Sequence, residues 1–439
     1  MSTEVISILV LVAIFAIGTL RPINMGLLGI TAAFIVGAAV GVDEDTVFAG
    51  FPGDLFIILV GVTYLFAIAN NNGTVDWLVH AAVRAVKGRV ALIPWVMFAI
   101  TAVLTAVGSV VPAAVAIVAP IALGFARRYK INPFMMGLMV VNGATAGGFS
   151  PISIFGSIVN GVVERADLAA NPALLFFSSL IFNTLLSVIV FFAFGGRDLL
   201  NRRVDPEPDS TERFKRETTE SGAPTIAGGA VDIAAEAPEL NRDRILTLLG
   251  IAALVTLALM PGIDWDVGFV AVSIAVVLSL AMPHATKGAA DKVAWPTVLL
   301  ICGIVMYVAL LEEIGTIEWL GQKVAEVGTP LLAALLICFI GGAVSAFAST
   351  TGILGALIPL AVPFLSQGEI GAVGVIIALC IASSVVDSSP FSTSGALVVA
   401  NSPEDRRDFV YRNLLKWGMS MIIIAPITAW AIFVLPGWL

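Results

Sequence analysis

The charges of this chain are crowded into one segment, and that crowding limits what it can fold into. Residues 197–244 hold 19 of the 54 Asp, Glu, Lys and Arg residues, and the other 391 positions share 35, which leaves long runs with none. Only 12% of the chain is charged and 59% is hydrophobic, against ~25% charged in an ordinary soluble domain. Mean hydropathy is +1.01. These figures exclude a disordered chain and argue against a soluble enzyme. They predict an all-α, multi-pass protein of the cell (inner or plasma) membrane, in contact with lipid and carrying one soluble insert.

A span needs roughly 20 apolar residues. On that measure helices are expected at about 5–20, 24–41, 54–70 and 90–107, then a shorter piece at 109–124, an interrupted stretch at 134–160 and a helix at 172–196. After the insert come 245–260, 267–282, 297–311 and 329–346, a short piece at 352–366, a second interrupted stretch at 370–400, and 414–436. Segments 74–87 and 316–327 carry charges at helical spacing and should lie along the interface.

The second half repeats the first. Asn72-Gly73-Thr74-Val75-Asp76-Trp77-Leu78 matches Ile314-Gly315-Thr316-Ile317-Glu318-Trp319-Leu320 at an offset of 242. Ala119-Pro120-Ile121 matches Ile358-Pro359-Leu360, and Ser150-Pro151 matches Ser389-Pro390, both at 239. Weak internal symmetry of this kind marks secondary transporters. The predicted fold is therefore two repeats of five transmembrane elements, each with a re-entrant helical hairpin and a broken helix. Five is odd, so the repeats are inverted. The domains are the first repeat at 1–196, a cytoplasmic disordered linker at 197–244, and the second repeat at 245–439. With the linker inside, 21 of the 23 Lys and Arg residues fall inside, leaving Arg165 and Lys323 outside and agreeing with the positive-inside rule. Both termini then come out extracytoplasmic.

Cys302, Cys338 and Cys380 sit in apolar runs and read as small hydrophobes. His80 and His284 are the only histidines, so His-based metal or acid–base chemistry is poorly supplied. A net charge of −8 excludes a basic nucleic-acid surface.

Two stretches break helical rules at membrane depth. One runs from Asn142 and Gly143 through Thr145 to Ser150, Pro151 and Ser153. The other runs from Ser383 through Asp387, Ser388, Ser389 and Pro390 to Ser392, Thr393, Ser394 and Gly395. Proline removes an amide donor and glycine loosens the backbone. Broken backbone in hydrocarbon leaves unpaired groups, tolerated only inside protein or beside a polar cavity. Freed amides there can bind anions, and freed carbonyls and hydroxyls can bind Na⁺. The hairpin tips, Gly108-Ser109-Val110-Val111-Pro112 and Ala348-Ser349-Thr350-Thr351-Gly352, are the other candidates. Asp387 is the one acid well inside a span, where a carboxylate costs at least ~2.5–3.5 kcal/mol. It is a cation ligand or proton carrier, or else a protonated group that only stabilises the break. Na⁺, where bound, is expected near Ser109, Asn142, Ser349, Thr350 and Asp387, and no cofactor is expected beyond Na⁺ or H⁺ as the coupling ion. No Lys or Arg lies in either broken stretch or either tip, so a dianionic substrate would need co-bound cations.

The paired hairpins and Ser-Pro breaks resemble the ion transporter superfamily, which includes divalent-anion/sodium symporters, citrate carriers and arsenite pumps. Arg21-Pro22-Ile23-Asn24-Met25-Gly26, Phe48-Ala49-Gly50-Phe51-Pro52, Tyr64-Leu65-Phe66-Ala67-Ile68-Ala69 and Gly147-Gly148-Phe149-Ser150-Pro151-Ile152-Ser153 are similar to the MatC dicarboxylate (malonate) carriers over about residues 1–200. The resemblance implies a homodimer, a fixed scaffold with a mobile transport unit, elevator-type alternating access and a small dicarboxylate substrate. The symporters' Ser-Asn-Thr tips fall near Ser109-Val110-Val111 and Ser349-Thr350-Thr351, and their Thr-Pro-Pro breaks at Ser150-Pro151-Ile152 and Ser389-Pro390-Phe391. The expected activity is import of a malonate- or succinate-like dicarboxylate with Na⁺ or H⁺. The alternative is a Na⁺/H⁺ antiporter with Asp387 as the exchanging acid. An intramembrane hydrolase is disfavoured, because no His or Lys base lies near the Ser and Asp residues.

Overall fold

The computed structural model describes residues 2–21, 23–84, 89–166, 168–169, 171–200, 202, 240–259, 265–325, 329–346, 350–365 and 370–437. The first half forms α1 (Thr3–Leu20), α2 (Met25–Val40), α3 (Glu44–Ala49), α4 (Gly53–Asn71), α5 (Thr74–Arg84), α6 (Leu92–Ala106), α7 (Val111–Arg128), α8 (Pro133–Gly147), α9 (Ile154–Arg165) and α10 (Pro172–Ala193). The second forms α11 (Arg242–Leu259), α12 (Val267–Ala281), α13 (Trp295–Glu313), α14 (Thr316–Ala325), α15 (Pro330–Ser345), α16 (Thr350–Leu365), α17 (Ala372–Val385), α18 (Thr393–Ala400) and α19 (Arg407–Phe433). No strand occurs among the described residues. Six helical stretches there are long and apolar enough to cross a membrane: Glu44–Asn71, Val111–Arg128, Pro172–Ala193, Trp295–Glu313, Ala372–Ala400 and Glu404–Phe433.

Local chemistry sets the helix ends. Pro133 and Pro172 occupy first-turn positions, where the missing amide is no loss. Asn132 and Asn171 cap those helices by accepting from the amides of Phe134 and Leu174, and Asp43 and Asp266 do the same for α3 and α12. The repeated Gly-Thr turn is the same structure twice. Gly73 and Gly315 take φ of 70° and 73°, a left-handed conformation that favours glycine, and each is followed by an amphipathic helix. The two interrupted stretches are α8 with α9 and α17 with α18, each pair separated by its Ser-Pro segment. One boundary moves. The last helix starts at Arg407 rather than near 414, since its charged first turns are solvated but still helical. The linker falls almost wholly outside the described residues.

The sequence offsets persist in three dimensions. α2, α4 and α5 begin 242 residues before α12, α13 and α14, and α7, α8 and α9 begin 239 before α16, α17 and α18. Packing is reciprocal: α2 lies on α13 while α4 lies on α12, and α9 lies on α16 while α18 lies on α7. Each half thus completes the other. Glycines make the first pair of crossings. A Cβ at Gly26 would stand 1.7 Å from the Leu299 carbonyl, and one at Gly303 would stand 1.9 Å from the Gly26 carbonyl. The repeat-equivalent pair, Gly268 and Gly61, makes the other crossing: a Cβ on Gly268 would lie 2.5 Å from the Ile58 amide, and one on Gly61 would lie 3.0 Å from the Gly268 carbonyl. Helices approach this closely in an apolar medium only through small residues.

Gly26→Leu should therefore break the α2–α13 crossing. Overpacking of this kind costs about 1–3 kcal/mol or more. The expected result is a lowered unfolding midpoint and aggregation on size-exclusion in detergent. Gly53→Ala, where an added Cβ meets nothing within 4 Å, should behave as the unsubstituted protein.

Candidate functional site

Each broken stretch is closed by a serine. In the first, the Ser153 hydroxyl approaches the Gly148 carbonyl and lies 2.6 Å from that of Ser150, while the Gly156 amide donates to it at 3.2 Å. In the second, the Ser392 hydroxyl approaches the Asp387 carbonyl and lies 2.7 Å from that of Ser389, while the Gly395 amide donates at 3.2 Å. The Ile152 amide donates to Ser150 Oγ at 3.4 Å, and the Phe391 amide to Ser389 Oγ at 3.3 Å. Atom for atom, the breaks are one device used twice. Each serine is the N-cap of the helix that follows, and satisfies backbone groups that hydrocarbon could not. Gly156 and Gly395 let the chain fold back, since a Cβ on either would sit 1.9 Å from the Ser150 or Ser389 carbonyl.

The first hairpin brings its tip to the first break. α6 and α7 turn at Gly108, whose φ is 117°, and a Cβ there would lie 3.4 Å from the Ile152 carbonyl. Ser109 is buried beside it. Ser349 lies outside the described residues. Thr350 and Thr351 are buried at the start of α16, with Thr350 Oγ1 2.8 Å from Ser345 Oγ. The turn at Val386–Ser388 packs against α15, α17, α18 and α19 of its own half and against α8 of the other. The second break therefore lies against the helix of the other half that leads into the first break.

The remaining expected residues take different roles. Asn142 Nδ2 donates to Ser187 Oγ of α10 at 3.2 Å. Gly143 is a packing residue, for a Cβ on it would lie 2.3 Å from the Phe98 carbonyl of α6. Thr145 and Ser388 donate to the Val141 and Val385 carbonyls, each in its own helical turn. Pro151 is half-buried and Pro390 buried, each just after its break serine. Thr393 opens α18 with an exposed side chain, apart from the buried group. Asp387 is buried, and its Oδ2 accepts from Ser394 Oγ at 2.6 Å. Among the described residues no Lys or Arg is ion-paired with it, and no three His, Cys, Asp or Glu side chains group to hold a metal. The sequence placed Ser394 in the second break without marking it as a site residue, and gave no place to a stripe on α10: Ser179, Asn183 and Ser187, all fully buried. Their spacing of four in an apolar helix was the available signal. Asn183 donates to the Ser179 carbonyl at 3.0 Å, and Ser179 to that of Thr145 at 3.4 Å.

Away from the breaks, a cavity of about 210 Å³ opens between the α3–α4 turn, the end of α9, α13 and α16. Arg165 of α9 pairs with Asp54 of α4 at 2.6 Å on its wall.

This fold, with two capped breaks and two helical hairpins, is that of a polytopic, all-helical membrane protein. Residues 1–148 match the family model described as the dicarboxylate carrier protein MatC N-terminus, and residues 267–437 match the citrate transporter family model. Both families are carriers, so the chain is a secondary transporter and not an enzyme. The crystal structure of the Alcanivorax borkumensis YdaH transporter, described as having an unusual topology, is similar over 89% of each chain with a TM-score of 0.61 and 15% identity. That likeness is one of fold. No curated protein sequence matches the chain.

Removing either cap serine should loosen its break. Ser153→Ala and Ser392→Ala are each expected to lower stability by about 1 kcal/mol, measured as a fall in the unfolding midpoint in detergent.

Proposed function

We propose that the chain imports a small dicarboxylate of the malonate or succinate kind, coupled to Na⁺ or H⁺. The observation that carries this reading is Asp387, a buried carboxylate bonded to a hydroxyl and ion-paired with no cationic side chain among the described residues. A negative charge in such a place needs a proton or a cation before it is stable. The breaks offer amides and hydroxyls but no fixed positive charge, so a dianion and its cations neutralise one another on binding. The names of the two matched families, dicarboxylate carrier and citrate transporter, support the substrate class.

The same reading includes elevator-type movement of α6–α10 and α15–α19 against a scaffold of α1–α5 and α11–α14, in a homodimer with both termini extracytoplasmic. Unequal docking of the two halves supports it. α16 lies along α13 and α14, and α9 touches α4. The repeat-equivalent pairs, α7 with α4 and α18 with α13, make no comparable contact, and the first hairpin meets α4 at its tip, where a Cβ on Gly108 would lie 2.2 Å from Val62. Arg165–Asp54 spans the docked side. An exposed pair of this kind contributes only ~0–1 kcal/mol, so it marks the docked position rather than locking it. Its repeat equivalents are Glu404 and Pro296, which should approach when the other side docks.

Uptake of labelled malonate into proteoliposomes is expected under a Na⁺ or an H⁺ gradient. Flux under neither would sink the carrier reading, whereas Na⁺-for-H⁺ exchange without malonate flux would favour the antiporter. Asp387→Asn should retain malonate binding and lose cation dependence, and normal dependence in that variant would refute the coupling role. The pairs Asp54→Cys/Arg165→Cys and Pro296→Cys/Glu404→Cys should each cross-link and stop uptake until reduced. Cross-linking of the first pair alone would argue against alternating docking.

A further inference from the structure

The two breaks share their backbone device but not its contents. Under the offset of 239 that aligns Ser153 with Ser392 and Gly156 with Gly395, Asp387 stands where the first half has Gly148, Ser388 where it has Phe149, and Ser394 where it has Phe155. The first break is filled with rings: Phe149 and Phe155 are both buried, with centroids 5.4 Å apart. A Cβ on Gly148 would already lie 3.2 Å from Phe155 and 3.2 Å from Val111, leaving no room for a carboxylate. In the second break the ring at the Phe155 position is replaced by a serine, which frees that space and supplies the hydroxyl that reaches Asp387 Oδ2 at 2.6 Å. Glycine with phenylalanine on one side, and aspartate with serine on the other, are exchanges that fit only as sets.

Resting on the transport reading above, we propose that Ser394 is the positioning residue of a one-sided coupling centre. It orients the Asp387 carboxylate so that one positive charge, a monovalent cation or a proton, is held by a side-chain carboxylate at the second break and none is held that way at the first. Among the described residues, Asp387 is the only buried carboxylate on or against this turn. The elements packed on its turn are α8, α15, α17, α18 and α19. Of these, α8 and α18 carry no charge. α15 and α17 offer only the buried thiols of Cys338 and Cys380. The ionisable groups of α19, Arg407, Asp408, Tyr411, Arg412 and Lys416, are all exposed in its first turns.

The test uses the purified full chain in detergent. Thermal stabilisation is titrated with Na⁺ at fixed pH and then with pH in the absence of Na⁺, which separates the cation from the proton. A hydrogen bond to a charged group corresponds to about a tenfold change in equilibrium. Ser394→Ala is therefore expected to move the Na⁺ half-saturation or the pH midpoint about tenfold, with Ser394→Thr close to the unsubstituted protein and Asp387→Asn unresponsive to both. Ser394→Thr, which keeps the hydroxyl, also serves as the folding control. Ser394→Ala titrating like the unsubstituted protein in both series overturns the proposal, as does an unsubstituted protein responding to neither ion. A Ser394-dependent ion response in a protein that moves no malonate would discard the substrate and retain the centre.

Discussion

Interrupted helix inside an apolar medium is viable only when every freed backbone group finds a partner. Here two serine hydroxyls supply that partner, Ser153 and Ser392, each bridging the end of one helix to the start of the next. Without them the first amides of α9 and α18 and the carbonyls before them would lose these partners, and the two short helices would fray at their starts. Every proposed contact with substrate or ion depends on those helices starting there.

A second constraint holds the two halves together. The scaffold crossings at Gly26 with Gly303 and Gly61 with Gly268 bring backbone against backbone, and a side chain at any of them would push the halves apart. The crossings are repeat-equivalent, as are the contacts of α9 with α16 and α18 with α7. Neither half could bury its own faces alone. This mutual completion sets the Val386–Ser388 turn of one break against α8, the helix that leads into the other.

Symmetry in the frame contrasts with asymmetry in the contents. The breaks share their hydrogen bonds, yet one encloses Phe149 and Phe155 and the other Asp387 and Ser394. The docking of the halves is also unequal, with α16 lying on α13 and its equivalent lacking such a bed. A repeated frame provides two equivalent arrangements, and unequal contents give them different chemistry.

The sequence by itself determined the helical class, the repeat and the two breaks. Long uncharged runs, Gly-Thr turns at one offset and Ser-Pro pairs at another are local patterns, and local patterns survive in a linear reading. It also marked Asp387, because an acid in an apolar run is visible without coordinates. Only the tertiary structure decided which polar residues serve the backbone and which remain for chemistry. Gly143 reads as part of a polar break but packs on α6, Thr393 is exposed, and Ser153 and Ser392 are committed to capping. The partnership of Ser394 with Asp387, and that of Asn142 with Ser187, were equally out of reach. A serine or an asparagine carries the same letter whether it bonds to a carbonyl in its own turn or to a side chain across a helix boundary. That choice is made by the chain direction after each break and by the neighbour that the other half provides.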